Sequence, residues 1–208
     1  MVDDHDIFRC ALRGLLKEQG FEVVADAADG WDAVRLAKQL SPDVVSMDLD
    51  MPGMTGVEAI ERIVRSVPST QVLVLTGSAD ETDVVDAIMA GACGYMLKQC
   101  SPEELAAGIR AAADGESVIA PSIATKLIRR FRLGGPTEKL SEASERTLSP
   151  REVEVLKLLA RAKDTTEIAT ELFLSPKTVK NHIASILHKL EVANRLEAAV
   201  YALRRGII

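Results

Sequence analysis

Aromatic side chains make up only 3% of this 208-residue chain, so its core has to be built from Leu, Ile, Val, Ala and Met. Cysteine is equally scarce. Cys10, Cys93 and Cys100 are odd in number and lack metal-ligand spacing, so three reduced thiols are the expectation. No apolar run approaches the roughly 20 residues that a membrane-spanning helix needs, so no membrane association is expected. Acidic residues begin at Asp3 and no apolar stretch follows a basic start, so no secretory leader is expected and the cytoplasm is the expected compartment. What is present, 47% hydrophobic and 27% charged residues, is the profile of a soluble globular protein with room for one large or two small domains.

The net charge of −6 hides an asymmetry. Residues 1–133 carry 13 Lys and Arg against 21 Asp and Glu, a balance of −8, whereas residues 134–208 carry 12 against 10, a balance of +2. An acidic half joined to a mildly basic half suggests two separate tasks.

The first half alternates short β-branched runs with amphipathic stretches. Strands are predicted at Glu22–Ala27, Val44–Asp48, Gln71–Thr76 and Gly94–Leu97, and helices at Asp6–Gln19, Trp31–Leu40, Val57–Val67, Glu81–Ala90 and Pro102–Asp114. Short, nearly continuous apolar strands alternating with helices indicate a doubly wound parallel sheet buried on both faces. A sixth helix is predicted at Ser122–Arg132. Leu133–Thr147 then loses periodicity and gains Gly, Pro, Ser and Glu, as an interdomain linker does. Beyond it, Leu148–Ile208 reads as four helices, beginning at the capping box Ser149-Pro150-Arg151-Glu152, at Asp164 or Thr165, at Ser175-Pro176 and at Asn194. The expected organisation is an α/β domain over 1–120, a helix and linker over 121–147, and a small all-α domain over 148–208.

Asp3 and Asp4 precede the first helix and Asp48 ends a strand. In a doubly wound sheet, ligands gather at the carboxyl ends of the strands. Three carboxylates converging there repel one another unless a hard cation sits among them, and Mg²⁺ suits oxygen ligands and phosphoryl groups. Thr76 and Lys98, each ending a later strand, supply the hydroxyl and ammonium that would hold phosphoryl oxygens on Asp48. The run D-D-H, then M-D-L-D-M-P-G-M-T-G, then V-L-V-L-T, then A-x-G-Y-M-L-K resembles the receiver domains of two-component response regulators, most of all the NarL/FixJ subfamily. The resemblance covers about residues 1–120 and implies a flavodoxin-like fold. It implies Asp48 as phosphoacceptor, Asp3, Asp4 and the backbone carbonyl of Asp50 with Asp48 around Mg²⁺, Lys98 on the phosphoryl group, and Thr76 with Tyr95 as a switch pair. Asp50 competes with Asp48 for the acceptor role, and the spacing to Met51-Pro52 favours Asp48. Only Met1 and Val2 precede the Asp pair, where receivers carry a longer central strand. His5 is read as a helix-start residue and Trp31 as a packing residue.

In the second half, Ser175–Leu190 has no acidic residue. Val179, Ile183, Ile186, Leu187 and Leu190 share one helical face, and Lys177, Lys180, Asn181 and Ala184 share the opposite one. Cations, an amide and a small residue are the groups that read base edges in a major groove, while His182, Ser185, His188 and Lys189 are placed to reach phosphates. The runs L-S-P-R-E-V-E-V-L, T-E-I-A-T-E-L, S-x-x-T-V-K-N-H and L-x-K-L-x-V-x-N-R resemble the LuxR-type helix-turn-helix over about residues 148–205. That resemblance implies a scaffold helix at Asp164–Phe173, a recognition helix at Ser175–Leu190 contacting DNA through Lys177, Thr178, Lys180, Asn181, His182, Ala184 and Lys189, and a dimer surface on Ala198, Ala199, Ala202 and Leu203. Family members often carry Gly where Ala162 stands, ending the preceding helix in a left-handed turn.

The function implied is a phosphorylation-controlled transcriptional regulator, not an enzyme. A sensor histidine kinase and double-stranded DNA are its partners, with a homodimer on DNA and RNA polymerase as further ones. Three rivals stand beside it. A receiver acting without phosphorylation would follow from the shortened first strand. A dehalogenase-like phosphatase would call for D-x-D-x-T, which Asp48-Leu49-Asp50-Met51-Pro52 does not continue. A quorum sensor would need a small-molecule domain in place of the acidic cluster.

Overall fold

The computed structural model describes residues 1–77, 80–119 and 148–207. The chain forms two compact units, Met1–Ala124 and Thr125–Ile208. The helix expected at Ser122–Arg132 and the linker expected at Leu133–Thr147 lie outside the described residues.

In the first unit the elements run α1 (Asp6–Glu18), α2 (Gly30–Leu40), β1 (Val44–Met47), α3 (Gly56–Ser66), β2 (Gln71–Thr76), α4 (Glu81–Met89), β3 (Gly94–Leu97), α5 (Pro102–Ala113) and β4 (Val118–Ile119). The strands pair in parallel in the order β1-β2-β3-β4. Side chains alternate across the sheet. Leu73 and Leu75 join Leu12 and Leu16 of α1 and Leu105, Ile109 and Ala112 of α5 in one cluster. Val72 and Val74 face the other way, toward the side where α3 packs with Ala59, Ile60 and Ile63 buried and α2 and α4 flank it. Helices on both faces make this a flavodoxin-like, doubly wound layer, as the alternating pattern implies.

The expected strand at Glu22–Ala27 is a correction. Only Ala27 joins the sheet, through a parallel bridge to Val2, which bridges Met47 on its other side. A strand needs ladder partners along its length, and beside this segment lie only Met1 and Val2. Their backbone groups are all used: Val2 N–H donates to Ser46 at 2.8 Å, Asp48 N–H to Val2 at 3.0 Å and Ala27 N–H to Met1 at 3.0 Å. The amino group of Met1 itself donates to the Ala25 carbonyl at 3.1 Å, and burial holds its pKa below the ordinary value. Two residues thus hold the central position that a longer strand would take. Beside them an apolar cavity of about 260 Å³ opens between Phe21, Val23, Leu36, Val44 and Ile109.

Among the described residues of the second unit, the helices are α6 (Pro150–Ala160), α7 (Thr165–Glu171), α8 (Pro176–Leu190) and α9 (Arg195–Arg204). Ser149, Asp164, Ser175 and Asn194 cap them as the sequence indicates. Val155, Leu156, Ile168, Val179, Ile186 and Tyr201 centre the core. Ala162 does take the left-handed turn, at φ 58°. An L-residue pays about 1–2 kcal/mol there and glycine does not, although glycine also loses more chain entropy on folding. Ala162→Gly should therefore stabilise this unit by about 0.5–1 kcal/mol, seen as a rise of a few degrees in its melting followed by circular dichroism.

Candidate functional site

The turn after Val2 and the carboxyl ends of β1, β2 and β3 bring the expected site residues Asp3, Asp4, Asp48, Thr76 and Lys98 to one rim. Asp48 follows β1 and is 2% exposed; its Oδ1 accepts from the N–H of Leu49 at 2.8 Å. Asp3 is equally buried, and its Oδ1 accepts from the backbone N–H of His5 at 2.9 Å. Lys98 ties the two together. Its Nζ lies 2.6 Å from Asp48 Oδ2 and 2.7 Å from Asp3 Oδ2, with the Phe8 ring beneath it at 4.7 Å. Burial pulls the Lys98 pKa down, but the bonds to Asp3 and Asp48 outweigh it and hold the group above its ordinary value. Ligand atoms of Asp3, Asp4, His5 and Asp48 lie within 4.8 Å of one another. Asp4 Oδ1 is buried and takes no well-aligned hydrogen bond, although His5 Nδ1 stands 2.6 Å away. Three carboxylates against one ammonium, with one buried carboxylate oxygen lacking a well-aligned donor, fit a hard divalent cation.

Asp50, the rival candidate, is exposed and lies outside this cluster. Below it, Pro52 and Gly53 turn the chain, with Gly53 at φ 82°, and Thr55 with Glu58 closes a capping box that starts α3. Gly56 packs directly on the backbone of Asp48 and Leu49: a Cβ there would lie 2.6 Å from Leu49 Cα and closer still to the carbonyl oxygen of Asp48. Thr76 ends β2 fully buried, and its carbonyl accepts from the N–H of Lys98 at 2.8 Å. Tyr95 on β3 is also fully buried. Burial first, then the charges of Asp83, Asp50, Asp80 and Asp48, push its phenol above the ordinary range. The expected switch pair thus occupies neighbouring strands, with Tyr95 turned inward.

On α8 the face assignments hold. Val179, Ile183, Ile186 and Leu190 are buried, while Lys177, Lys180, Asn181 and Ala184 are exposed together. His182 and Thr178 are half-buried at the edge of this stripe and His188 is exposed. Pro176 at the first helical position and the Ser175 cap, accepting from Thr178 N–H at 3.0 Å, fix where the stripe begins.

The family described as the response regulator receiver domain matches residues 1–110, and the LuxR family of bacterial regulatory proteins matches residues 146–202. Over its whole length the chain is 43% identical to the transcriptional regulatory protein LiaR of Bacillus subtilis, covering 97% of that protein. The chain belongs to the response regulators. The response regulator VraR of Staphylococcus aureus is 38% identical over the whole chain and 96% of its own length. Among solved structures, ChrA of a heme-sensing two-component system is 33% identical with a TM-score of 0.51, covering all of this chain and 96% of its own. A structure of two RcsB dimers bound to two parallel DNAs is 29% identical with a TM-score of 0.55, covering 98% of this chain and 95% of its own. This response regulator is thus a two-component transcriptional regulator of the NarL/FixJ type, in a family under phosphorylation control. A receiver implies a sensor kinase, and the LuxR-type unit implies DNA. No helix among the described residues is long and apolar enough to cross a membrane.

Two expectations about the regulator's second unit need correcting. Lys189, expected as a phosphate contact, is engaged inside its own unit. Its Nζ bonds both carboxylate oxygens of Glu152, at 2.9 and 2.8 Å, and Ser185 Oγ donates to Glu152 Oε1 at 2.6 Å. The motif around Glu152 announces a helix cap, and nothing in it announces partners 33 and 37 residues away. Nor are Ala198 and Ala202 surface residues. Both are fully buried in the unit's own core, because α9 packs that side on α6, which leaves Ala199 partly exposed and Leu203 about half exposed. Arg195 is a further residue the sequence does not announce. It is 8% exposed and donates from Nη2 to the carbonyl of Lys163 at 3.0 Å, tying the start of α9 to the turn before α7.

Proposed function

We propose that a phosphoryl group received by Asp48 from a sensor histidine kinase controls DNA reading by α8. The observation that carries this is Lys98, whose ammonium bridges Asp3 and Asp48 at the rim of the sheet. Asp3, Asp4 and Asp48, with the backbone carbonyl of Asp50, would hold Mg²⁺, which when bound offsets the charge of the incoming phosphoryl group. The carboxylate of Asp48 attacks phosphorus and the kinase imidazole leaves. Lys98 then follows the new oxygens, as one ammonium can serve a phosphoryl group and a carboxylate in turn. The Thr76 hydroxyl is drawn inward onto a second phosphoryl oxygen, which locks Tyr95 in its buried rotamer and fixes the surface around β2 and β3 in one state. Asp3 and Asp4 reach Asp48 although only Met1 and Val2 precede them, which speaks against a receiver acting without phosphorylation.

The altered receiver surface favours a homodimer on DNA, whose two copies of α8 read half-sites about one helical turn apart or a multiple of it. Lys177, Lys180, Asn181 and Ala184 supply the base-edge contacts, with Thr178 and His182 at their margin. The domains run over 1–120 and 148–208, joined through 121–147. The protein works in the cytoplasm, with RNA polymerase as its downstream partner.

The test couples the two units. A DNA duplex is first selected from a random library by the full chain. Its affinity should rise several-fold when the chain is treated with acetyl phosphate and Mg²⁺, and return to the starting value when the metal is chelated before the phosphodonor is added. Equal affinity in all three conditions would overturn the coupling.

A further inference from the structure

We infer that Glu152 is a positioning residue for DNA reading, clamping α8 at a fixed rotation and height against α6. The proposal rests on α8 being the reading helix. Glu152 is the third residue of α6, 4% exposed, and it makes two sets of bonds at once. Toward its own helix it completes the capping box, its Oε2 accepting from the N–H of Ser149 at 2.6 Å. Toward α8 it accepts from Ser185 Oγ at 2.6 Å and from Lys189 Nζ at 2.8 and 2.9 Å. Ser185 and Lys189 are one helical turn apart, so a single carboxylate grips one full turn of α8.

Where that turn sits decides what the grip does. At about 100° per residue, Ser185 and Lys189 fall on the flank between the buried face of Val179, Ile183, Ile186 and Leu190 and the exposed stripe of Lys177, Lys180, Asn181 and Ala184. The apolar face alone leaves a helix some freedom to roll, because packing contacts are individually shallow. A charged bond anchored beside the stripe removes that freedom and fixes where the reading side chains point. Base-edge hydrogen bonds are short and directional, so a small roll costs discrimination before it costs phosphate contacts. The carboxylate stays ionised in this setting. Burial raises its pKa, but the bonds from Lys189, Ser185 and Ser149 more than reverse this and lower it to about 2.

The experiment uses the full chain and two duplexes, the one selected from a random library by the unmodified protein and a scrambled duplex of the same composition. Glu152→Gln keeps the capping box, since glutamine serves at that position, and loses the charged bond to α8. Lys189→Gln removes the charge from the other side and leaves the cap untouched, so it carries the test if Glu152→Gln fails to fold. The expected result is a loss of about tenfold in the ratio of the two affinities, with binding to the scrambled duplex and the salt dependence unchanged. A purely structural role would lower the folded fraction and weaken both duplexes alike, leaving the ratio intact; that outcome overturns the proposal, as does a ratio equal to wild type. Lys180→Ala and Asn181→Ala run alongside. If they lose discrimination while Glu152→Gln and Lys189→Gln keep it, the clamp is wrong and the reading helix right; if they keep it too, the reading helix itself is wrong.

Discussion

Asp48→Asn takes up no phosphoryl group from acetyl phosphate in the presence of Mg²⁺, whereas Asp50→Ala takes it up like the unmodified chain. The expected contrast is between complete loss and no loss, because the two carboxylates differ in environment and not in chemistry. Asp48 is buried against Lys98 and faces Asp3, while Asp50 is exposed and stands apart from the cluster. A carboxylate in water has no fixed cation to offset the charge of an incoming phosphoryl group, and Asp48 has one 2.6 Å away. The asparagine variant is close in shape, so its failure would report chemistry and not unfolding. Removing one of three crowded carboxylates leaves Lys98 paired with Asp3. Intact-mass analysis reads the result directly. A phosphate gained by Asp48→Asn and missing from Asp50→Ala would reverse the assignment.

Gly56→Ala destabilises the receiver unit by about 3 kcal/mol or more, at the upper end of what overpacking costs. The added methyl group would meet backbone, the Asp48 carbonyl and Leu49 Cα, and backbone at a strand end cannot rotate aside as a side chain does. The start of α3 is also pinned there, its N–H at Gly56 donating to Leu49 at 3.1 Å. The strain therefore falls on the segment carrying Asp48. Urea denaturation should show a lower midpoint, and labelling of whatever remains folded should be slower. Unchanged stability would mean that α3 can slide away from the strand end without loss.

Most of the architecture was legible because local signals and burial agree. The short, mostly apolar runs of β1, β2 and β3 carry apolar side chains on both sides, which only a sheet covered by helices on both faces can use. The Ser-Pro-x-Glu boxes before α5 and α6 mark helix starts by the hydrogen bonds they make, so those boundaries fall where expected. The segment Glu22–Ala27 misled because its composition is that of a strand and its partner is only two residues long. Pairing is a property of the neighbour and is not written in the segment itself. In the candidate sites, residues that stand at an element's end, Asp48, Thr76 and Lys98, could be placed from topology. Lys189 could not. A lysine on a helix flank has the same sequence signature whether it meets phosphate or a buried glutamate, and the glutamate lies on a helix whose packing no local pattern specifies.

Trp31 is the single tryptophan of the chain. It sits at the start of α2, 60% exposed, with the guanidinium of Arg62 over its ring at 4.7 Å. The intrinsic fluorescence of this regulator above the tyrosine band is therefore a reporter of the receiver unit alone, and of the α2–α3 face within it. A melt followed at that wavelength will be blind to the DNA-binding unit, whose single aromatic reporter of comparable kind is the buried Tyr201. The two units can be followed separately in one sample, tryptophan emission for one and the helical far-ultraviolet signal for both. A mismatch between the two curves would measure how far the units unfold independently.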